Sequence, residues 1–310
     1  MSAEVEGRLL HVLTGCTAVG KTEWALRWAE ANSAEIISCD SLLFYRGMDV
    51  GTAKPTAEER RRVPHHLIDI RDVAEGMNVA IYAGMALKVA EDIVGRGRAG
   101  LVVGGSGFYL KSFLAPIADG LEVPASVRAR VSGIQESSGL AGMVEMLQSL
   151  NPLGIPGIDT ANPRRVAGAL GRCLASGKTL AELSAEFALA RSPFHGWTVR
   201  LVRLDRPAAD LELRIAVRVE GMLRDGLLDE VRRLLDAGLR ANPSASRAIG
   251  YRESIEVIAG RAPAEGLAEA IIKDTKALVK KQRTWFRTQL PEHRVLDACD
   301  PGGLPGLFLG

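Results

Sequence analysis

The sequence predicts an α/β fold: a parallel sheet flanked by helices, interrupted by an inserted all-helical domain. Three observations predict it. Short apolar runs at residues 8–13, 34–39 and 101–103 end in turns rich in Gly, Asp or Ser, as buried parallel strands do. Residues 78–94 carry apolar side chains at helical spacing between two of those runs. From about residue 115 the strand signals stop, and segments rich in Ala, Leu and Arg are broken by Pro152, Pro156, Pro163 and Pro193.

Each element follows in order. The run at residues 8–13 leads at once into Gly15-Cys16-Thr17-Ala18-Val19-Gly20-Lys21-Thr22. Trp24, Ala25, Leu26, Trp28 and Ala29 then open a helix, and the two tryptophans share a face expected in the core. A second strand over residues 34–39 ends at Asp40-Ser41. The helix over residues 78–94 stops at Gly95, and the strand at 101–103 runs into Gly104-Gly105-Ser106-Gly107. After the insertion, residues 198–204 return to a strand pattern. Helices are expected over 208–223, 229–236 and 265–288, with a strand and loop after Pro291. The core therefore spans residues 1–114 and 196–310, and the helical insertion 115–195.

Composition narrows the function. With 310 residues, 47% hydrophobic and 25% charged, the chain can bury a large core and is neither disordered nor fibrous. Its apolar runs are too short to span a membrane, and residues 1–7, with two Glu, do not read as a secretory signal. Cys16, Cys39, Cys173 and Cys299 lie far apart with no CxxC pair, which argues against a disulfide framework or zinc site and suits a reducing cytoplasm. A net charge of +2 does not by itself indicate nucleic acid, so any such case rests on where Lys and Arg sit.

Gly15 to Thr22 fits G-x-x-x-x-G-K-[ST] in the strand–turn–helix setting that the pattern requires. Such a turn aims backbone N–H groups and a helix N-terminus at phosphate, Lys21 neutralises phosphate oxygens, and Thr22 offers a hydroxyl to Mg²⁺. The core is thus expected to be P-loop NTPase-like, with Gly15, Thr17, Ala18, Val19, Gly20, Lys21 and Thr22 holding a diphosphate. Kinases and ATPases of this class add an acidic metal ligand after a further apolar strand. Here that strand ends in Gly104-Gly105-Ser106, which weakens the reading as a triphosphatase. Asp40 and Ser106 both follow strands at the carboxyl edge where ligands bind in open α/β sheets. Asp40 either accepts a proton or holds metal there, or it caps a turn; Ser106 contacts phosphate or caps a helix.

The motifs together resemble one family. Gly15 to Thr22, Asp40-Ser41, and the run from Tyr45-Arg46-Gly47-Met48-Asp49 through Val50-Gly51-Thr52-Ala53-Lys54-Pro55 are similar to the tRNA dimethylallyltransferases of bacterial type. So are Pro64-His65-His66-Leu67-Ile68-Asp69, Gly104-Gly105-Ser106-Gly107-Phe108-Tyr109-Leu110, Ser176-Gly177-Lys178-Thr179, Asp205-Arg206-Pro207, Arg214-Ile215, Arg218 and Ile249-Gly250-Tyr251-Arg252. Lys280-Lys281-Gln282-Arg283-Thr284-Trp285-Phe286-Arg287 completes an ordered set across nearly the whole chain. The resemblance implies transfer of a dimethylallyl group from dimethylallyl diphosphate to N6 of adenine 37 in tRNA. It implies catalytic roles for Asp40, Ser106 and Arg218. It also implies tRNA contacts at Asp40, Ser41, Leu42, Leu43, Ser106, Arg128, Arg164, Arg165, Val166, Ala167 and Gly168, which makes the insertion a clamp on the anticodon stem-loop. Ser106 stands where Thr is usual, Gly168 where Arg is common, and Ala277 where Gln is common.

On the last helix Lys273, Lys276, Lys280, Arg283 and Arg287 fall on one flank with no interleaved acid, suggesting a surface that tracks phosphates. Lys280, Lys281 and Arg283 are the expected contacts there. Arg60-Arg61-Arg62 follows Glu58 and Glu59 and reads as solvated helix surface; His65 and His66 lack partners at metal-ligand spacing. A monomer is expected. Three other readings remain: a small-molecule kinase with the same turn, an isopentenyltransferase acting on free adenylates, and an RNA-binding module with a vestigial turn.

Overall fold

The structure, a computed structural model, describes residues 8–117 and 121–308; the expectation for residues 1–7 lies outside them. The chain divides into two compact units, Met1–Ala115 with Pro193–Gly310, and Pro116–Ser192.

In the first unit β1 (Arg8–Gly15), β2 (Ala34–Ser38), β3 (His65–His66), β4 (Ala99–Gly104), β5 (Trp197–Asp205) and β6 (Arg294–Asp297) form one parallel sheet in the order β3-β2-β4-β1-β5-β6. All five residues of β2 and six of the eight in β1 are buried, as strands covered on both faces must be. Thr14 pairs with Gly104 and Arg203, and Ser38 with Val103, so the carboxyl ends of β2, β4, β1 and β5 lie along one edge. At that edge Gly104 has no room for a side chain: a Cβ there would stand 1.9 Å from the Cys39 carbonyl oxygen.

The first unit's helices begin with α1 (Lys21–Ala31), α2 (Ala57–Arg62), α3 (Val79–Gly95) and α4 (Gly107–Lys111). Beyond the second unit's α5 (Ala125–Ser149), α6 (Pro163–Ser176) and α7 (Leu180–Leu189) come α8 (Ala208–Arg224), α9 (Leu227–Asp236), α10 (Pro243–Ser246), α11 (Tyr251–Ile258) and α12 (Leu267–Gln289). Gly20 precedes α1 with φ 106°, a left-handed conformation that costs glycine little. Trp24 and Trp28 are buried in the core, each contributing roughly 1.5–3 kcal/mol of apolar burial. A reciprocal Thr56–Glu59 capping box starts α2, whose Arg60 and Arg62 pair with Asp69 and Glu30. The Asn78 side chain accepts the Ile81 N–H at 2.9 Å and starts α3.

The short elements β3, α10 and α11 have no counterpart in the sequence reading. The insertion was expected to run to residue 195, but Phe194 is 2% exposed and stacks on Phe113 at 4.6 Å, so the chain rejoins the first unit's core after Ser192. The second unit has its own core, in which Val166, Leu170 and Cys173 of α6 pack with Met143 and Leu147 of α5 and Leu183 of α7. All four cysteines are free, with Cys299 alone exposed.

Candidate active site

The glycine-rich turn between β1 and α1 is held in shape by groups outside it. Arg206 Nε donates to the Val19 carbonyl at 3.1 Å and Arg214 Nε to the Ala18 carbonyl at 2.8 Å. Within the loop the Val19 N–H donates to the Cys16 carbonyl at 3.3 Å and the Thr17 N–H to the Gln282 amide at 2.9 Å, which leaves the remaining amides of the turn for an anion. Ala18 adopts φ 65°, a costly conformation for a residue with a side chain and one that clusters at functional sites. Lys21 Nζ donates to the Gly15 and Cys16 carbonyls, each at 2.9 Å. Burial pushes its ammonium down to about 8, with the Asp40 charge opposing and Arg218 adding.

Asp40 follows β2. Its Oδ1 accepts the Leu42 N–H at 3.0 Å, and its second carboxylate oxygen has no protein partner among the described residues. Ser106, at the end of β4, accepts the Ser41 N–H at 3.2 Å and lies 3.4 Å from the Ser41 hydroxyl. The two sequence-predicted residues are thus joined through Ser41. Burial raises the Cys39 thiol and the Tyr109 phenol each to about 12, so both stay neutral around Asp40. Arg218, from α8, donates to the Thr52 carbonyl at 3.0 Å; burial lowers its pKa and Asp40 opposes that.

The segment over residues 45–55 is pinned from below. Glu230 of α9, 1% exposed, accepts the N–H groups of Asp49 at 2.9 Å, Val50 at 2.7 Å and Gly51 at 3.1 Å, and the Tyr251 hydroxyl at 2.7 Å. Lys54 is buried among the Tyr45 carbonyl, Asp49 and Asp69 at 2.9, 2.7 and 2.5 Å. A charged group buried with this many partners is an anchor. It fixes Thr52, Ala53 and Pro55, which face the phosphate turn across a cavity.

Two cavities meet here. One, of about 690 Å³, is lined by Thr17, Ala18, Gly20, Lys21 and Thr22 together with Leu43, His65, Ile68 and Arg214. The other, of about 620 Å³, is lined by Ser41, Leu42, Ser106, Tyr109, Arg247, Lys281 and Trp285, among others. Thr17, Asp40, Thr52 and Arg218 line both. A carboxylate and a guanidinium therefore stand where an anion on the turn and a molecule in the second cavity would come together.

A divalent ion fits on one condition. Among the described residues no three His, Cys, Asp or Glu are grouped to hold a metal. The Thr22 hydroxyl and Asp40 line the same cavity, so such an ion would take most of its ligands from phosphate oxygens and water, the usual habit of Mg²⁺.

Other expected residues fall elsewhere. Arg164, Arg165 and Gly168 are exposed on the second unit, Ala167 is half-buried, and Arg128 donates to the Val123 carbonyl at 2.5 Å. Val166 is fully buried, so its side chain packs the unit's core and presents no surface to RNA. On α12, Lys280 and Lys281 are exposed, but Arg283 is engaged by Asp205 at 2.8 Å and by the Arg206 carbonyl. Lys276 pairs with Glu212 at 2.6 Å. The acids missing from that flank in sequence come from β5 and α8, which shrinks the basic surface. Conversely, Thr52 and Gln282 stood inside motifs with no role assigned, and Glu230 carried no local signal at all.

The family described as IPP transferase matches residues 43–289. That span begins after the phosphate turn and Asp40, but relatives align over those residues too. The chain is 62% identical over 306 residues to a tRNA dimethylallyltransferase of Opitutus terrae, covering 98% of each chain. It is 37% identical to one of Rhodococcus jostii, covering 93% of this chain and 91% of the other. In structure it is similar to the full-length tRNA isopentenylpyrophosphate transferase of Bacillus halodurans, with a TM-score of 0.66, 31% identity, and coverage of 94% and 90%.

Proposed function

We propose the function of this chain from one premise: it belongs to the IPP transferase family. It transfers a dimethylallyl group from dimethylallyl diphosphate to N6 of adenine 37 in tRNA and releases diphosphate. The observation that carries this reading is the shared wall: Asp40 and Arg218 line both the cavity of the phosphate turn and the cavity beyond it.

The donor's diphosphate lies on the turn, held by its amides and Lys21, with C1 towards Asp40. The adenine is extruded from the anticodon loop and enters by the second cavity, at a cost of a few kcal/mol offset by stacking and edge contacts. As the N6–C1 bond forms, the C1–O bond breaks and its electron pair leaves with diphosphate. The amine becomes acidic as it alkylates, and Asp40 takes its proton. Charge grows on the leaving oxygens, and Lys21, Arg218 and the turn line the cavity that would hold them, with Ser106 in the wall of the second cavity; such placed donors are the main source of rate. The Thr22 hydroxyl, together with diphosphate oxygens, would hold a Mg²⁺ ion, which would further neutralise that charge.

The second unit, with exposed Arg164 and Arg165, and Lys280 and Lys281 of α12 contact the tRNA. Among the described residues no helix is long and apolar enough to cross a membrane, and a cytoplasmic monomer is our reading. The kinase alternative lacks support at β4, which ends in Gly104 with no carboxylate after it. Incubating the protein with labelled dimethylallyl diphosphate, Mg²⁺ and, separately, tRNA, ATP or AMP tests the proposal. Label is expected in tRNA alone; label in AMP or ATP overturns it in favour of a free-adenylate enzyme.

A further inference from the structure

Gln282 belongs to α12, yet its amide joins two turns remote from it in sequence. Oε1 accepts the Thr17 N–H at 2.9 Å and the Thr17 hydroxyl at 3.2 Å. Nε2 donates to the Gly105 carbonyl at 3.0 Å. One side chain thus bridges the phosphate turn and the turn that presents Ser106. The fit is close on both sides. A Cβ at Gly105 would stand 3.1 Å from Gln282 Nε2 and 3.0 Å from the Gly15 carbonyl oxygen, and one at Gly107 would stand 2.6 Å from the Trp285 ring. Gln282 and its neighbour Lys281 both line the second cavity, so α12 touches the phosphate turn and the acceptor side at once.

We propose that Gln282 is a positioning residue: it sets the spacing of the phosphate turn against the Ser106 turn, and with it the alignment of the leaving diphosphate on Asp40. This rests on the function proposed above. The chemistry of the bridge selects an amide, because one end must accept and the other donate. Leu, shorter by one atom and apolar, can make neither bond and leaves the Thr17 N–H and the Gly105 carbonyl unpaired. Glu keeps the acceptor, loses the donor, faces the Gly105 carbonyl with a second acceptor, and adds negative charge beside a site for anions. Misalignment of reacting groups by a fraction of an ångström slows the chemical step, whereas loss of an RNA contact changes affinity.

The test uses the full chain with Gln282→Leu and Gln282→Glu. It measures single-turnover transfer into tRNA, calorimetric binding of inorganic diphosphate with Mg²⁺, anisotropy of a labelled anticodon stem-loop, and Tm. Gln282→Leu is expected to slow transfer about tenfold or more and to weaken diphosphate about fivefold. Stem-loop affinity stays within about twofold, since the exposed lysines remain. Gln282→Glu binds diphosphate more weakly still. Transfer and diphosphate affinity equal to the parent's, or a loss of rate matched by an equal loss of folded protein, overturns the proposal. A parent that labels no tRNA sinks the transferase reading instead, and the diphosphate arm still reads the bridge.

Discussion

Asp40 and Arg218 stand together in the wall that two cavities share, and the carboxylate supports the guanidinium's charge against burial. Each has a second tie that fixes it: Asp40 to the Leu42 N–H at 3.0 Å, Arg218 to the Thr52 carbonyl at 3.0 Å. On the function proposed above, the pairing lets one surface meet a nucleophile that must lose a proton and a leaving group that must gain charge.

Replacing Asp40 by Asn keeps the size and the acceptor for Leu42 but removes the base. Single-turnover transfer is expected to fall by about 10²–10⁴-fold, with tRNA affinity within a few-fold of the parent. Asp40→Ala does the same. Because Lys21 and Arg218 lose a nearby negative charge, diphosphate binds more tightly to either variant, which calorimetry reads directly. Transfer above a tenth of the parent rate removes Asp40 from its role.

Lys21 makes donor binding depend on pH. Burial brings its ammonium down to about 8, so the cation is present below that value and lost above it. KM for dimethylallyl diphosphate should rise as pH passes from about 8 to 9 and stay flat below about 7. Stability runs the other way. The folded value lies below the ordinary 10.5, so between the two the unfolded chain holds more protons and this group's contribution makes stability rise with pH. Lys21→Arg keeps its charge throughout, so the step in KM disappears even if the rate is lower. A step that persists in Lys21→Arg assigns it to another group.

Glu230 carries the segment that closes the phosphate cavity. Glu230→Ala strands three backbone N–H groups and the Tyr251 hydroxyl, and costs about 3 kcal/mol or more of stability. Glu230→Gln retains an acceptor and most of the packing. It should fold at a Tm a few degrees lower while KM for the donor rises several-fold, because Thr52, Ala53 and Pro55 are less well held. An unchanged KM in that variant would mean the segment does not report on the donor site.

Much of this was legible in the sequence, for reasons specific to each residue. The signal of the phosphate turn is local: Gly15, Gly20 and Lys21 lie within eight residues, so the motif was legible although Arg206, Arg214 and Gln282 hold its shape from afar. Asp40 and Ser106 could be placed because they follow buried strands, and parallel strands bring their carboxyl ends to one edge. What escaped depends on partners remote in sequence. Gln282 meets Thr17 across 265 positions, and Glu230 meets Asp49 across 181. The two-residue strand β3 is too short for any period to show, and its His66 is held by Glu35 at 2.7 Å from the neighbouring strand. The basic flank of α12 misled for the same reason, since a helix read alone cannot reveal the acids of β5 and α8.

That correction yields the last prediction. If five cations on α12 tracked phosphates, each would contribute alike to the salt dependence of RNA binding. The structure divides that flank instead: Lys280, like Lys281 beside it and outside that set, is exposed and makes no ion pair among the described residues, whereas Lys276 and Arg283 are bound to Glu212 and Asp205. Replacing both Lys280 and Lys281 by Ala should reduce the slope of log K against log salt by about 2, with little change in Tm. Arg283→Ala should leave that slope nearly unchanged and lower Tm, because Asp205 and the Arg206 carbonyl lose their shared donor beside the phosphate turn. Lys276→Ala sits between the two, losing an exposed ion pair worth at most about 1 kcal/mol. Stem-loop binding titrated from low to high salt separates the two groups. Equal slope changes for Lys281→Ala and Arg283→Ala would restore the undivided basic face.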